Sequence, residues 1–118
     1  WPSPIHCIYS QRMLDCIPYP DALNFLRMLK ARMAPQAQAF LSAGGLETEY
    51  GNSYPDRDKP LEKRFTRLTP DMAQKHDIHA EVCLYHEKDL CQLAEKAGLK
   101  IIRSWTSAFG NPKLIAQA

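Results

Sequence analysis

The chain is expected to fold as an α/β protein around a mostly parallel sheet that ends in an antiparallel β-hairpin. Three observations lead there. Short apolar runs of strand length alternate with amphipathic helical segments. Prolines and glycines fall at the joints between them. The last two strand-like runs are separated only by a turn at Phe109, Gly110, Asn111 and Pro112, too short for a helical crossover, so they must run antiparallel. Alternating strands and helices call for a doubly wound sheet with helices on its faces.

Ile5, His6, Cys7, Ile8 and Tyr9 form the first run, introduced by Pro2 and Pro4 and apolar enough for a buried parallel strand over residues 5–9. Pro18 and Pro20 punctuate a turn, and Asp21 is a natural N-cap for a helix beginning at Ala22. Leu23, Leu26, Met28, Leu29 and Met33 line one face of that helix, Arg27, Lys30 and Arg32 favour its C-terminal dipole, and Pro35 stops it. A second strand is expected over residues 37–42, ended by Gly44 and Gly45.

The stretch at about 46–80 reads as an irregular insertion, dense in turn formers and charges around residues 50–60. Its composition predicts that residues 51–59 are exposed and mobile. Within it, a short helix over 61–68 and another capped by Thr69, with Pro70 at its first position, are expected. Residues 81–85 are extended. The next helix runs over 86–97, with Leu90, Leu93, Ala94 and Ala97 on one side and Gly98 as the residue after its cap. Strands near 99–106 and 113–118 close the chain.

At 118 residues the sequence fits one compact domain, and its 45% hydrophobic and 24% charged residues are those of a globular protein. A formal charge of +2 is too small to imply nucleic acid as a partner. No apolar run approaches the roughly 20 residues of a membrane span, which points away from a membrane partner as well. Cys7, Cys16, Cys83 and Cys91 could form two disulfides, but Cys7, Cys83 and Cys91 lie in strand-like or helical runs, as buried free thiols of a cytoplasmic protein do. The chain opens on Trp1 rather than Met, which fits a piece of something longer.

Ligands of open α/β sheets bind beyond the carboxyl ends of the strands, where Ser10, Gln11, Arg12 and Met13 fall. Tyr50, Tyr54 and Arg57 in the insertion, with Arg64 nearby, offer aromatic rings and cations suited to a planar or anionic small molecule. His6, His76, His79 and His86 are general bases by residue type, although a histidine is more often structural. His76, His79, Cys83 and His86 have the chemistry of zinc ligands but not the spacing of a common finger, so no metal site is assigned.

The order of these elements resembles the C-terminal half of a class I S-adenosylmethionine-dependent methyltransferase. The segment from Ile5 through Met13, Leu14 and Pro18 is similar to that family's fourth strand and following loop, with His6 where the family usually has Asp. The segment from Leu29 through Pro35 to Ser42 is similar to its Leu-x-Pro-Gly-Gly entry into the fifth strand, with Gln36 and Ala37 replacing the glycines. Tyr85 to Leu99, with Ala97 and Gly98, is similar to its late helix. The resemblance implies that residues 1–118 form a partial domain whose last strand inserts between the second and third. It also implies that Ser10, Gln11, Arg12 and Met13 face the cofactor, S-adenosyl-L-methionine, and that Tyr50, Tyr54 and Arg57 attend a small-molecule methyl acceptor. The family's Gly-rich loop and ribose-binding acid have no counterpart here, so the isolated chain is not expected to bind cofactor or to be active without the N-terminal half. The other reading is a non-catalytic methyltransferase-like interaction or scaffold module. In either case the unpaired edge of the first strand would seek a partner, whether that half or a second copy.

Overall fold

The computed structural model describes residues 4–118; Trp1, Pro2 and Ser3 lie outside the described residues, and with them the punctuating role given to Pro2. In chain order the elements are β1 (Ile5–Gln11), α1 (Tyr19–Ala31), β2 (Met33–Ser42), α2 (Glu49–Asn52), α3 (Pro70–His76), α4 (Glu87–Lys96), β3 (Lys100–Thr106) and β4 (Pro112–Gln117). The four strands form one mixed sheet in the order β1-β2-β4-β3. β1 and β2 are parallel, and β4 runs antiparallel to both β2 and β3. The expected α/β class and the insertion of the last strand are both realised.

α1 begins earlier than expected. Pro18 takes the N-cap position and Pro20 sits in the first turn, where the missing N–H has no intrahelical acceptor to lose. Pro35 does not stop this helix. The chain leaves it at Arg32, whose N–H reaches Leu29 and Lys30 carbonyls, and β2 starts at Met33. Pro35 and Gln36 are accommodated inside β2 by an irregularity: Gln36 has φ 66°, and the register with β1 jumps from Ile5↔Met33 to Cys7↔Gln38.

Beyond that irregularity Ala37, Ala39 and Leu41 alternate inward, and Ala39 and Leu41 share one core with residues of α1 and α4. Leu14, Ala22, Leu26, Leu90, Leu93, Leu114 and Ala116 complete this core. α4 starts at His86, whose N–H donates to the Asp89 carboxylate at 2.8 Å, and it ends before Gly98 at φ 96°, as its sequence predicts. The opposite face of the sheet carries Tyr9, Phe40, Ile115 and Trp105, which share a side by register and remain partly or largely exposed. β1 therefore departs from the buried strand expected: it pairs only with β2 among the described residues, leaving Cys7 and Tyr9 exposed.

The insertion is the largest correction. Residues 51–59 are only in part the exposed loop expected: Asn52, Ser53, Pro55, Asp58 and Lys59 are exposed, but Gly51, Tyr54 and Asp56 are buried. Leu46, Tyr50, Tyr54, Leu68, Val82 and Leu84 build a second small core. The polar side chains counted as solvated instead satisfy backbone groups. Tyr54 donates to the Val82 carbonyl at 2.5 Å, Arg57 donates to the carbonyls of Leu46 and Gly51, and Asp56 accepts from the Phe65 N–H at 2.9 Å. The helix expected over 61–68 shrinks to a single 3-10 turn, Leu61–Lys63. α3 begins at Thr69 and Pro70 as expected. Residues 81–85 are extended but join the sheet nowhere; they make isolated bridges, Thr66↔Val82 and Gly45↔Tyr85.

Candidate functional site

A cleft of about 620 Å³ opens beyond the carboxyl ends of β1 and β2. β1 contributes Gln11, the position just after it contributes Arg12, and the turn and short helix after β2 contribute Thr48, Glu49 and Tyr50. Lys75 and His76 come from the end of α3, and Ser107, Phe109, Asn111 and Lys113 from the β3–β4 hairpin.

Backbone contact between two turns holds these pieces in place. A Cβ on Gly45 would lie 1.9 Å from the Gly110 carbonyl oxygen, and one on Gly110, at φ 96°, would lie 2.3 Å from the Glu47 carbonyl oxygen. Only glycine permits that approach. The Asn111 carboxamide oxygen then accepts from the Gly45 N–H at 3.1 Å and from the Tyr50 hydroxyl at 3.4 Å. Thr48 caps the short helix through its hydroxyl, which accepts from the Gly51 N–H at 3.0 Å. Tyr50 is thereby buried in the cleft wall, its phenol pushed up by burial, and its ring meets His76 edge to face at 5.1 Å.

Glu49 receives two partners, Lys75 Nζ at 2.7 Å and His76 Nε2 at 3.0 Å. Hydrogen bonds from Lys75 and His76 hold its carboxyl below the usual range. A carboxylate can only accept, so Nε2 of His76 carries the hydrogen and Nδ1 of the neutral ring is left as an acceptor. Arg12 sits in the left-handed region at φ 52°, directly after β1, with its N–H on the Ser42 carbonyl at 2.8 Å. Such a conformation costs a non-glycine residue about 1–2 kcal/mol and tends to persist at functional positions.

Of the residues singled out in the sequence, Gln11, Arg12 and Tyr50 meet in this cleft. Ser10 does not line it. It belongs to the end of β1 and borders a smaller hollow of about 150 Å³ on the sheet, with Tyr9, Phe40, Ser42 and Trp105. The hydroxyls of Ser10 and Ser42 are buried there without a hydrogen-bond partner. Met13 is 43% exposed outside the cleft lining. Tyr54 and Arg57 are not cleft residues, being committed to the insertion's backbone. Arg64 is buried in an ion pair with Asp89 at 2.8 Å. His6 is exposed on β1.

The zinc-like set is dispersed. His79 pairs with Asp77, His86 with Glu47, and the Cys83 thiol lies buried against the Leu61 carbonyl. Among the described residues no three His, Cys, Asp or Glu side chains gather as metal ligands. All four cysteines are free; of the three expected to be buried, Cys83 is buried, Cys91 is partly buried and Cys7 is exposed, and Cys16 is exposed as well. No helix among the described residues is long and apolar enough to cross a membrane.

Phe109, Asn111 and Lys113 were legible only as turn and strand residues, and Glu49 and Lys75 as part of an irregular stretch. One signal was present: an aromatic residue inside a tight surface turn has few neighbours to bury it. Phe109 is 84% exposed.

No protein-family model matches the chain, and no curated protein resembles it significantly. Solved structures do. An O-methyltransferase family 2 protein from Planctomyces limnophilus, in complex with apigenin, superposes over 97% of this chain with a TM-score of 0.62 at 11% identity. The S-adenosylmethionine-dependent methyltransferase SibL covers 99% with a TM-score of 0.60 at 12% identity, and TnmH covers 100% with 0.61 at 18%. The chain spans about a third of the length of these proteins (30%, 32% and 32%). At such identities the likeness is one of fold: this chain has the architecture of the C-terminal part of a methyltransferase domain.

Proposed function

We propose that the chain is the acceptor-side part of an S-adenosylmethionine-dependent methyltransferase that acts on a small molecule. The observation that carries the reading is the cleft itself. It lies at the strand ends of a methyltransferase fold, and it gathers Arg12, Tyr50, His76, Phe109 and Lys113 from four separate elements. Methyl transfer is an in-line displacement that depends on alignment, so a cleft that positions an acceptor supplies much of what is needed.

When bound, the cofactor would supply a methyl group on a positively charged sulfur. Gln11 and Arg12, at the end of β1, are the residues of this chain that we assign to meet it. The fit is partial, since the described residues offer one polar strand end and no glycine-rich turn. The remaining contacts would come from the complementary part of the domain, for which the free edge of β1 and the face bearing Tyr9, Phe40 and Trp105 provide pairing and packing surface. His76, oriented by Glu49, can take a proton at Nδ1 from an acceptor hydroxyl as it is methylated. The same exposed face favours the second reading, an interaction module without chemistry.

Calorimetric titration of S-adenosylmethionine, together with radiolabelled methyl transfer, tests the choice. The 118-residue chain is expected not to bind cofactor, whereas the chain combined with its complementary part binds and transfers. Assembly of the two parts without cofactor binding would select the scaffold reading.

A further inference from the structure

Charge balance in the cleft leaves two cations without a carboxylate. Lys75 and His76 both spend their interactions on Glu49. Among the described residues, Arg12 and Lys113 make no ion pair. The acid nearest to Arg12 in effect is Asp15, which is buried beneath Gly44; there burial favours the neutral carboxyl more strongly than Arg12 favours the charged one. Neither cation has a carboxylate within ion-pair distance among the described residues.

Both cations are registered to one residue. The Arg12 N–H donates to the Ser42 carbonyl, and Lys113 is the ladder partner of Ser42 on the other side. Arg12 and Lys113 therefore flank the end of β2 with their backbones two strand spacings apart, roughly 10 Å. That separation is within the combined reach of the two side chains, so their heads can converge on one anion. Over the same cleft stands Phe109, 84% exposed on a turn that backbone contacts with residues 45–48 hold in place. An aromatic ring left in solvent beside unpaired cations offers stacking together with charge.

We infer that the cleft takes a planar aromatic acceptor bearing an anionic group, a carboxylate or phosphate, held between Arg12 and Lys113 with its ring against Phe109. This inference rests on reading the cleft as the acceptor site. It separates Arg12 from a purely cofactor-side role.

The test uses 4-hydroxybenzoate, its neutral counterpart 4-hydroxybenzamide, and free methionine as a stand-in for the cofactor's amino-acid end. Each is titrated into the 118-residue chain and followed by amide chemical shifts at low salt. The benzoate is expected to shift Arg12, Phe109 and Lys113 and to bind at least about tenfold more tightly than the amide, with the difference shrinking as salt rises. Arg12→Gly is the informative variant, because glycine accepts φ 52° without strain and the fold is retained while the cation is lost. It and Lys113→Gln should each weaken the benzoate about tenfold or more. Equal binding of benzoate and amide, absence of benzoate binding, or unchanged affinity in both variants overturns the inference. Methionine binding as tightly as the benzoate would give the cations to the cofactor and overturn it too. These outcomes do not depend on catalysis, so the methyl-transfer assay can fail while the anion site stands, and the reverse.

Discussion

Replacing Arg64 by Met should cost more stability than any change in the cleft. Arg64 and Asp89 are 8% and 6% exposed, and their Nη1–Oδ2 contact is 2.8 Å. The guanidinium also donates to the carbonyls of Lys59 at 2.8 Å and Leu84 at 3.2 Å, joining the insertion to residues 81–85. Methionine keeps most of the aliphatic volume but strands a buried carboxylate and two carbonyls. Removing one partner of a buried pair costs about 3–5 kcal/mol. At about 2.1 cal/mol/K per residue, unfolding 118 residues carries roughly 0.25 kcal/mol/K, so the loss corresponds to about 12–20 °C in Tm. Calorimetry or thermal circular dichroism reads it. A second change, Asp89→Asn on the Arg64→Met background, isolates the cause. The carboxamide oxygen still accepts from the His86 N–H at the start of α4, while the orphan charge is gone. It should restore roughly 1–3 kcal/mol. A single-variant loss under about 1 kcal/mol, in the range of a surface pair, or no recovery in the double variant, would refute buried charge as the origin of the effect.

Two further outcomes follow from buried groups outside the cleft. Asp15 has its carboxyl pushed up from 3.8 by burial, with one oxygen unpartnered. The fold thus favours its protonated form, and its contribution is greatest below the unfolded value and declines as pH rises through the raised folded one. Asp15→Asn should flatten that decline and stabilise the protein at neutral pH by on the order of 1 kcal/mol, with no gain in acid, as denaturant titrations across pH will show. Burial also pushes the Cys83 thiol up to about 12, while Cys7 and Cys16 are exposed. Alkylation followed by peptide mass spectrometry should modify Cys7 and Cys16 in the native protein and reach Cys83 only on unfolding; native labelling of Cys83 would mean that residues 81–85 open readily.

What the sequence determined by itself was the sequence of elements and the local geometry at their ends. The alternation of strand and helix, the antiparallel close, Pro70 opening α3 and Gly98 at φ 96° all depend on residues within a few positions of one another, and such short-range patterns are written directly in the chain. Gln11, Arg12 and Tyr50, which the structure brings to one cleft, were legible as candidates for a related reason: a strand end and an aromatic in an insertion are local features.

Tertiary structure alone decided the rest. Whether β1 is interior or edge depends on what lies beside it, so the apolar run around Cys7 and Tyr9 could not announce its exposure. Tyr54 and Arg57 had the chemistry of binding residues, yet their hydrogen bonds are taken by Val82, Leu46 and Gly51, partners that exist only once the insertion has folded back. The cleft arises the same way. Arg12, His76 and the hairpin that carries Phe109 and Lys113 stand far apart in the chain, and they meet because Gly45 and Gly110 let two turns touch backbone to backbone. A residue's character is set by its side chain, but its availability is set by which distant polar group reaches it first.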